Sequence, residues 1–286
     1  MKTLCVDLGG SRVKLALMTA DSHPQPDVFE VDSHAPLAQT LSLVAQHAAA
    51  WGQPDAVSIA LPCVVCRGTV IACNGKYTDA VGFDWVRWSQ KTFGAPVFLM
   101  NDAAAALLGE MRCGNARGFA NAALIALGTG LGFACCLDGE VQYAPTGSPR
   151  ITVYKKPFRD GILEDYVAKR GFLRLYGEIT GQDTGPSLTV ADLGRMAGEG
   201  NPAARETFAT IGRMLGEALR ELIRKERIEC LLLGGQISRS YAYLEPGLRK
   251  GLYGTACLRS IAPAAHIGHA AFYGLLARLD GLRPET

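Results

Sequence analysis

Residues 4–17 read LCVDLGGSRVKLAL, an apolar strand, a glycine-containing turn and a second apolar strand. Two strands joined by a short turn of this kind predict a β-hairpin. Gly9 and Gly10 permit positive φ angles and place no Cβ between the backbone and a bound molecule. Asp7 stands where the first strand ends, and Arg12 and Lys14 add positive charge behind the turn. Backbone N–H groups and cations favour a phosphate, and a strand-end carboxylate favours the Mg²⁺ that accompanies it.

The sequence repeats this arrangement in its second half. Residues 124–141 again read as an apolar strand, a turn containing Gly128, Thr129 and Gly130, and a second apolar strand. One glycine turn is equally typical of an ordinary hairpin, but two of them indicate two similar halves. Because each half presents a glycine turn, the pair is suited to holding a polyphosphate from both sides. The pattern therefore predicts two related domains with a cleft between them.

Length and composition exclude several classes of protein. The chain has 286 residues, of which 48% are hydrophobic and 20% charged, with a formal net charge of +2. This length suffices for two globular domains, and a near-neutral chain without a dense Lys/Arg block is not typical of nucleic-acid binding. No apolar run approaches the roughly 20 residues that a membrane span needs. The chain enters its first strand directly, so we expect no signal peptide and a cytoplasmic location.

Nine cysteines raise the question of metal or redox chemistry. Most lie in apolar, strand-like runs, where a free thiol behaves as a small hydrophobic side chain, and in the cytoplasm we expect them to be reduced. Cys63 and Cys66 have C-x-x-C spacing, and Cys73 follows nearby. A metal site needs a second pair of ligands, and a redox motif opens a helix rather than continuing a strand. A structural role is therefore favoured, with metal or redox chemistry as the alternative.

An Asn-Asp pair marks a predicted change from strand to helix. Residues 96–100 read as the buried strand PVFLM, and Asn101 and Asp102 precede a run of good helix formers. Asn or Asp here is typical of an N-cap, but open α/β sheets also keep their chemistry at the carboxyl ends of strands. Asp102 is therefore predicted to be a catalytic base, with helix capping as the alternative.

Hydrophobic periodicity and turn residues predict the other elements. A strand is expected near residues 28–31, and a final helix is expected to open within residues 267–271. The other predicted strands cover residues 56–61, 68–73 and 228–233, and the other predicted helices cover residues 37–51, 81–93, 162–175, 189–198 and 201–225.

The order of these motifs resembles the ROK family (repressors, open reading frames and sugar kinases) of the actin–hexokinase superfamily. Each glycine motif is weak alone, but five in the family's order form a specific signal over nearly the whole chain. In chain order, DLGGS at Asp7–Ser11 is similar to the first phosphate motif, Asn101-Asp102 to the pair carrying the catalytic base, Gly128-Thr129-Gly130 to the second phosphate motif, Leu233-Gly234-Gly235 to the adenosine motif, and the segment from Ile267-Gly268 to the closing helix.

The resemblance implies an α/β fold of two actin-like (ribonuclease H-like) domains, with mixed central sheets flanked by helices and an active-site cleft between them. The N-terminal domain is expected to span residues 1–114 and the C-terminal domain residues 115–286. The last helix, about 264–280, is expected to return to the N-terminal domain. A homodimer is also implied.

The sequence departs from the family pattern in its second half. Residues 145–161 stand where the family has a zinc-binding Cys segment, and they contain neither Cys nor His. The family's Glu-x-x-Gly-His sugar-binding segment is replaced by PTGSPRITV. Only Glu164 still resembles the Glu that follows the zinc segment. The resemblance therefore implies no zinc and an altered sugar site, while the phosphate motifs are retained.

The function that the resemblance implies is Mg·ATP-dependent phosphorylation of a hydroxyl on a hexose or related sugar, with Asp102 as general base. Asp7 is expected to hold Mg²⁺ through water. Lys14 is also similar to polyphosphate-using glucokinases, so polyphosphate is an alternative donor. A non-catalytic sugar- or nucleotide-binding protein is the alternative from another class. The expected phosphate and nucleotide contacts are Gly9, Gly10, Ser11, Arg12, Lys14, Gly128, Thr129, Gly130, Gly234 and Gly235, and the expected sugar contacts are Asn74, Asn101, Asp102 and Glu164.

Overall fold

The computed structural model describes residues 1–280 except 11, 20, 22, 25, 33–34, 74–76, 146–148, 183–184 and 186. The chain divides into two compact units. The first unit contains residues 1–114, 141–150 and the segment from His269 onward, and the second contains residues 115–140 and 151–268. Among the described residues, no helix is both long enough and apolar enough to cross a membrane.

The first unit is built on a five-stranded sheet with helices packed on it. The sheet has the order β3-β2-β1-β4-β7, in which β1 is antiparallel to β2 and parallel to β4, and β4 is parallel to β7. The elements are β1 Thr3–Leu8, β2 Arg12–Met18, β3 Asp27–Glu30, α1 Leu37–Ala48, β4 Ala56–Leu61, the separate hairpin β5 Cys63–Cys66 and β6 Thr69–Cys73, α2 Trp85–Phe93, β7 Val97–Asn101 and α3 Asp102–Cys113.

The second unit repeats this strand order with its own sheet. The order is β10-β9-β8-β13-β14, in which β8 is antiparallel to β9 and parallel to β13, and β13 is parallel to β14. The elements are β8 Ala122–Leu127, β9 Leu131–Leu137, β10 Glu140–Val141, β11 Pro157–Phe158, β12 Gly161–Ile162, α4 Leu163–Val167, α5 Lys169–Thr180, α6 Val190–Gly198, α7 Pro202–Lys225, β13 Cys230–Gly234, α8 Tyr241–Gly251 and β14 Ser260–Pro263.

The last helix, α9 Ala270–Asp280, packs against α3 within the first unit. Each unit has its own hydrophobic core. In the first unit the buried side chains of β1, β2 and β4 meet α1, and in the second those of β8, β9 and β13 meet α7. Both glycine turns lie at the ends of strands whose side chains are buried in these cores, so the packing fixes the strands from which the turns emerge.

Most predicted elements are confirmed, and the differences have local causes. The helix expected over residues 81–93 begins at Trp85, because the Asp84 carboxylate caps it by accepting a hydrogen bond from the Arg87 N–H at 2.9 Å. The helix expected over residues 162–175 is divided at Ala168, whose backbone is extended. The helix α8 and the strand β14 were not predicted.

The expectation that every cysteine is reduced is wrong for two of them. Cys63 and Cys73 form a disulfide, with their Cα atoms 4.4 Å apart. They are direct partners across the β5–β6 hairpin, whereas Cys66 lies opposite Thr69. The C-x-x-C spacing does not identify the bonded pair, because hairpin register rather than sequence spacing decides which thiols meet.

Thiol titration of unreduced, denatured protein is expected to give seven thiols per chain, because seven cysteines are free. Reduction should raise this number to nine. The disulfide closes a short loop and should stabilise the fold by about 2–3 kcal/mol. A Cys63→Ser variant is the control, since it should give the same thiol number before and after reduction. Nine thiols without reductant would show that the pair is reduced.

Candidate active site

In the first unit, the candidate residues lie at the carboxyl edge of the parallel strands β1, β4 and β7. In the register of these strands, Asp7 pairs with Ala60, and Ala60 pairs with Met100. Asp7 near the end of β1 and Asn101 at the end of β7 therefore reach the same edge of the sheet, separated by one strand. This is the edge at which open α/β sheets bind ligands.

Asp102 begins α3, but it is not the residue that caps the helix. The Asn101 side-chain oxygen accepts a hydrogen bond from the Ala104 N–H at 3.2 Å, which is the N-cap interaction. The Asn101 amide also donates to the Cys63 carbonyl at 3.4 Å. The Asp102 Oδ1 accepts from the N–H of Ala103 at 2.7 Å. Because Asn101 supplies the cap, the Asp102 carboxylate is available for another role.

The surroundings of Asp102 raise its pKa to about 6, mainly because the carboxyl is removed from water. The nearby carboxylate of Asp7 raises the pKa further, and backbone N–H groups and the Lys14 ammonium lower it in part. A carboxyl group with a pKa of this kind is ionised at neutral pH and is a better proton acceptor than an ordinary aspartate. Asp102 therefore has the chemistry of a general base.

The first glycine turn joins β1 to β2 and is held by side chains on both sides. Lys14 lies opposite Asp7 in the hairpin, and its ammonium is 2.9 Å from the Asp7 Oδ2. The buried Tyr77 hydroxyl donates to the Gly9 carbonyl at 2.9 Å. Arg12 instead pairs with Glu30 at 3.2 Å on an exposed surface. Lys14 is therefore the cation of the hairpin that the structure brings to the Asp7 carboxylate.

The Asp7 carboxylate fits the requirements of Mg²⁺. Magnesium prefers hard oxygen ligands and is commonly bound by one or two carboxylates together with substrate phosphates and water. Asp7 supplies a partly exposed carboxylate beside a glycine turn whose backbone can approach a phosphate. This donor set suits a magnesium ion carried by a nucleotide.

The residues present do not fit the zinc site of the family. Zinc sites are built from Cys thiolates and His imidazoles, and residues 145–161 contain neither. Within the part of the chain that the structure describes, no cluster of three or more His, Cys, Asp or Glu is placed to hold a metal ion.

The second glycine turn joins β8 to β9 in the second unit. Its Gly128 N–H donates to the Gly130 carbonyl at 3.1 Å, and the Lys169 N–H donates to the Gly128 carbonyl at 3.0 Å. The Glu164 carboxylate accepts from the Leu131 N–H at 2.8 Å. The turn is therefore fixed by contacts at both of its ends.

The end of β13 lies beside this turn. Gly234 pairs with Ala126 of the parallel strand β8, so both strands end at the same edge. Gly235 has a φ of +81°, and a Cβ on it would collide with the Leu127 carbonyl. Ser238 secures the segment, because its hydroxyl donates to the Gly234 carbonyl at 2.6 Å and its N–H donates to the Gly235 carbonyl at 3.2 Å. A glycine is thus required at position 235, because φ is positive there and because no room exists for a Cβ.

Two predicted contacts, Ser11 and Asn74, lie outside the described residues. Two residues that support the site were not predicted, namely Tyr77 and Ser238. The sequence did offer a reason to single out Tyr77, because it follows the expected sugar contact Asn74 by three residues and a buried tyrosine hydroxyl usually has a hydrogen-bond partner. The Gly9 carbonyl that it contacts could not be identified without the tertiary structure.

Comparisons of the sequence and of the fold with known proteins both find similarity to sugar kinases. The chain is 27% identical over 258 residues to the N-acetylgalactosamine kinase AgaK of Shewanella sp. (strain ANA-3), covering 82% of this chain and 81% of the relative. It is 24% identical over 260 residues to the N-acetylmannosamine kinase of Escherichia fergusonii, covering 85% of this chain and 86% of the relative.

The fold is similar to the crystal structure of a ROK family glucokinase from Streptomyces griseus in complex with glucose and AMPPNP. The TM-score is 0.79 at 21% sequence identity, with 98% of this chain and 100% of that chain covered. The predicted fold class, two actin-like α/β domains with mixed sheets, is confirmed. The family model described as ROK family matches residues 3–150, just over half of the chain. The chain therefore belongs to the ROK family.

Proposed function

We propose that this protein is a sugar kinase that transfers a phosphoryl group from Mg·ATP to a hydroxyl of a hexose or N-acetylhexosamine. The observation that carries the proposal is the Asp102 carboxyl, which begins a helix at the carboxyl edge of a sheet without capping that helix. Its raised pKa, about 6, suits it to accept the proton of an attacking hydroxyl. A protein that only binds sugar has no need of a base in this position.

The proposed donor contacts are the glycine turn of the first unit and, in the second unit, the other glycine turn and the end of β13. In phosphoryl transfer, the main tasks of the protein are to position the phosphates and to stabilise their charge. Asp7 would hold Mg²⁺, which neutralises phosphate charge when bound, and Lys14 would add a fixed cation beside it. The backbone around Gly128–Gly130 would hold phosphates, and Gly234 and Gly235 would let the nucleoside lie against the backbone.

The proposed acceptor site uses Asn101 and Asp102, together with Asn74, which lies outside the described residues. The two relatives named above act on N-acetylgalactosamine and N-acetylmannosamine, which supports testing N-acetylated sugars as well as plain hexoses. Asp102 would contact the hydroxyl that receives the phosphoryl group. Asn101 can contribute only the hydrogen-bonding capacity left after its contacts with Ala104 and Cys63.

A coupled assay of ADP release over a panel of sugars tests the proposal. The panel should include glucose, mannose, N-acetylglucosamine, N-acetylmannosamine and N-acetylgalactosamine, each with and without Mg²⁺. Magnesium-dependent ADP release with at least one sugar is expected. A parallel assay of sugar phosphate formation from polyphosphate identifies the donor. Sugar binding without product from either donor would instead support the non-catalytic alternative.

Activity is expected to fall as the pH drops through about 6, the pKa of Asp102 in this protein. The base accepts a proton only when it is ionised, so activity should be full above this pH and should decrease about tenfold per pH unit well below it. The measurement is kcat/KM for the sugar between pH 5 and 8, with saturating nucleotide and a coupling system checked at each pH. A profile that stays flat down to pH 5 contradicts this role of Asp102.

A further inference from the structure

Glu164 reaches the second glycine turn from the start of α4. Its Oε2 accepts a hydrogen bond from the Leu131 N–H at 2.8 Å. A Cβ placed on Gly130 would lie 2.8 Å from the same oxygen, so the carboxylate rests directly against the turn. Hydrogen bonds from a backbone N–H to a charged acceptor are about twice as strong as those between neutral groups. The carboxylate therefore fixes the point at which the turn enters β9.

The same segment also holds the other end of the turn. The Lys169 N–H, at the beginning of α5, donates to the Gly128 carbonyl at 3.0 Å. The segment is itself attached to the preceding chain, because the Glu164 N–H donates to the Tyr154 carbonyl at 3.2 Å and the Leu163 N–H donates to the Lys156 carbonyl at 2.8 Å. The two ends of the Gly128–Gly130 turn are therefore held by neighbouring helices, the β9 end by Glu164 of α4 and the Gly128 end by Lys169 of α5.

Residues 154–166, which we call the clamp and which include Glu164, are held by contacts among their own side chains and with α7. The Lys156 ammonium donates to the Ala218 carbonyl of α7. The Tyr166 ring packs edge-on against Phe158, with centroids 5.4 Å apart. The Arg159 guanidinium lies 5.3 Å from the Tyr166 ring centroid, and the Tyr166 hydroxyl donates to Asp160. Aromatic packing, a cation–π contact and hydrogen bonds thus organise a stretch that overlaps the family's zinc segment.

We propose that Glu164 is a positioning residue that preorganises the second phosphate turn, and that the metal-free clamp holds it in place. This inference rests on the proposed function, since it assigns the Gly128–Gly130 turn to phosphate. A turn already fixed in its binding geometry loses less conformational freedom when the ligand arrives, so it binds more tightly. The effect of removing the Glu164 carboxylate should therefore fall on the nucleotide rather than on the sugar.

Three substitutions of Glu164 distinguish the contribution of its hydrogen-bond acceptor from that of its negative charge. Glu164→Ala removes the acceptor, Glu164→Asp keeps the charge but shortens the side chain by one methylene, and Glu164→Gln keeps an acceptor oxygen at the same length. Loss of a hydrogen bond to a charged group corresponds to about tenfold or more in affinity. We expect Glu164→Ala and Glu164→Asp to weaken nucleotide binding by about this factor, with Glu164→Gln closer to the wild type.

The measurement is titration of the protein with Mg·AMPPNP in the absence of sugar, together with KM for ATP and for the sugar. The KM for the sugar is expected to stay within about threefold of the wild-type value, because the acceptor site is unchanged. Glu221→Ala is the control, since it removes an exposed carboxylate elsewhere in the same unit. Thermal unfolding of each variant identifies any variant that does not fold. If Glu164→Ala does not fold, the nucleotide affinity of Glu164→Asp decides the outcome.

Two results overturn the inference. One is a rise confined to the KM for the sugar, which would make Glu164 a sugar contact, as the family resemblance implies. The other is nucleotide binding equal to the wild type in both Glu164→Ala and Glu164→Asp. Dialysis against a chelator should leave the unfolding temperature unchanged, and a decrease would show that a metal holds the clamp. A wild-type protein that releases no ADP would reject the proposed function, while the AMPPNP titration would still report on Glu164.

Discussion

Replacing Asp102 with Asn is expected to lower kcat by about 10² to 10⁴, the range typical of losing a general base. Asparagine has the same size and can keep the hydrogen bond from the Ala103 N–H, but it cannot accept a proton at neutral pH. Because the shape of the site is retained, the affinity for sugar should change little. The measurement is kcat by ADP release, combined with sugar binding followed by calorimetry.

The matched control for this variant is Asp84→Asn. Asp84 also lies at the start of a helix, but there the carboxylate does serve as the cap, by accepting from the Arg87 N–H at 2.9 Å. Asparagine is a good N-cap residue, so Asp84→Asn should keep both stability and activity. If Asp102→Asn also turns over sugar at a rate near the wild type, Asp102 is a structural residue and the proposed mechanism fails.

Replacing Gly235 with Ala is expected to destabilise the fold by several kcal/mol (about 2–6 kcal/mol from the two costs below) and to weaken nucleotide binding. The residue has a φ of +81° and a ψ of 166°, a region nearly closed to other residues, which costs about 1–3 kcal/mol. The added Cβ would also collide with the Leu127 carbonyl of the neighbouring strand. Relieving that collision moves the end of β13, at an additional cost of about 1–3 kcal/mol.

Gly52→Ala separates these two effects. Gly52 has nearly the same backbone conformation, with a φ of 78° and a ψ of −172°, but nothing lies within 4 Å of an added Cβ. It should therefore show the conformational cost alone, and nucleotide affinity should be unchanged. Chemical denaturation and AMPPNP titration of both variants make the comparison. If the two variants lose equal free energy of unfolding, the collision with the Leu127 carbonyl does not contribute to the destabilisation.

The sequence by itself determined the features that depend on short stretches of chain. The apolar strands on both sides of Gly9-Gly10 and of Gly128–Gly130 specified the two hairpins, because side-chain alternation and glycine turns act over a few residues. The change from strand to helix at Asn101-Asp102 was likewise local, since a cap and its acceptors lie within one helical turn. The order of the motifs along the chain was sufficient to predict the fold class.

The tertiary structure decided the features that depend on contacts between distant residues. The pairing of Cys63 with Cys73 follows from hairpin register, which the C-x-x-C spacing did not reveal. The raised pKa of Asp102 needs both burial and the carboxylate of Asp7, which reaches the same edge only after the strands are paired.

Glu164 likewise has one feature that the sequence determined and another that only the tertiary structure decided. The sequence identified it as a site residue, but only the fold places its oxygen 2.8 Å from the Leu131 N–H. Hydrogen bonding and electrostatic interactions act over a few ångströms of space, whatever the separation along the chain. A linear sequence specifies which groups are present, and the packing of strands and helices specifies which of them are close enough to interact.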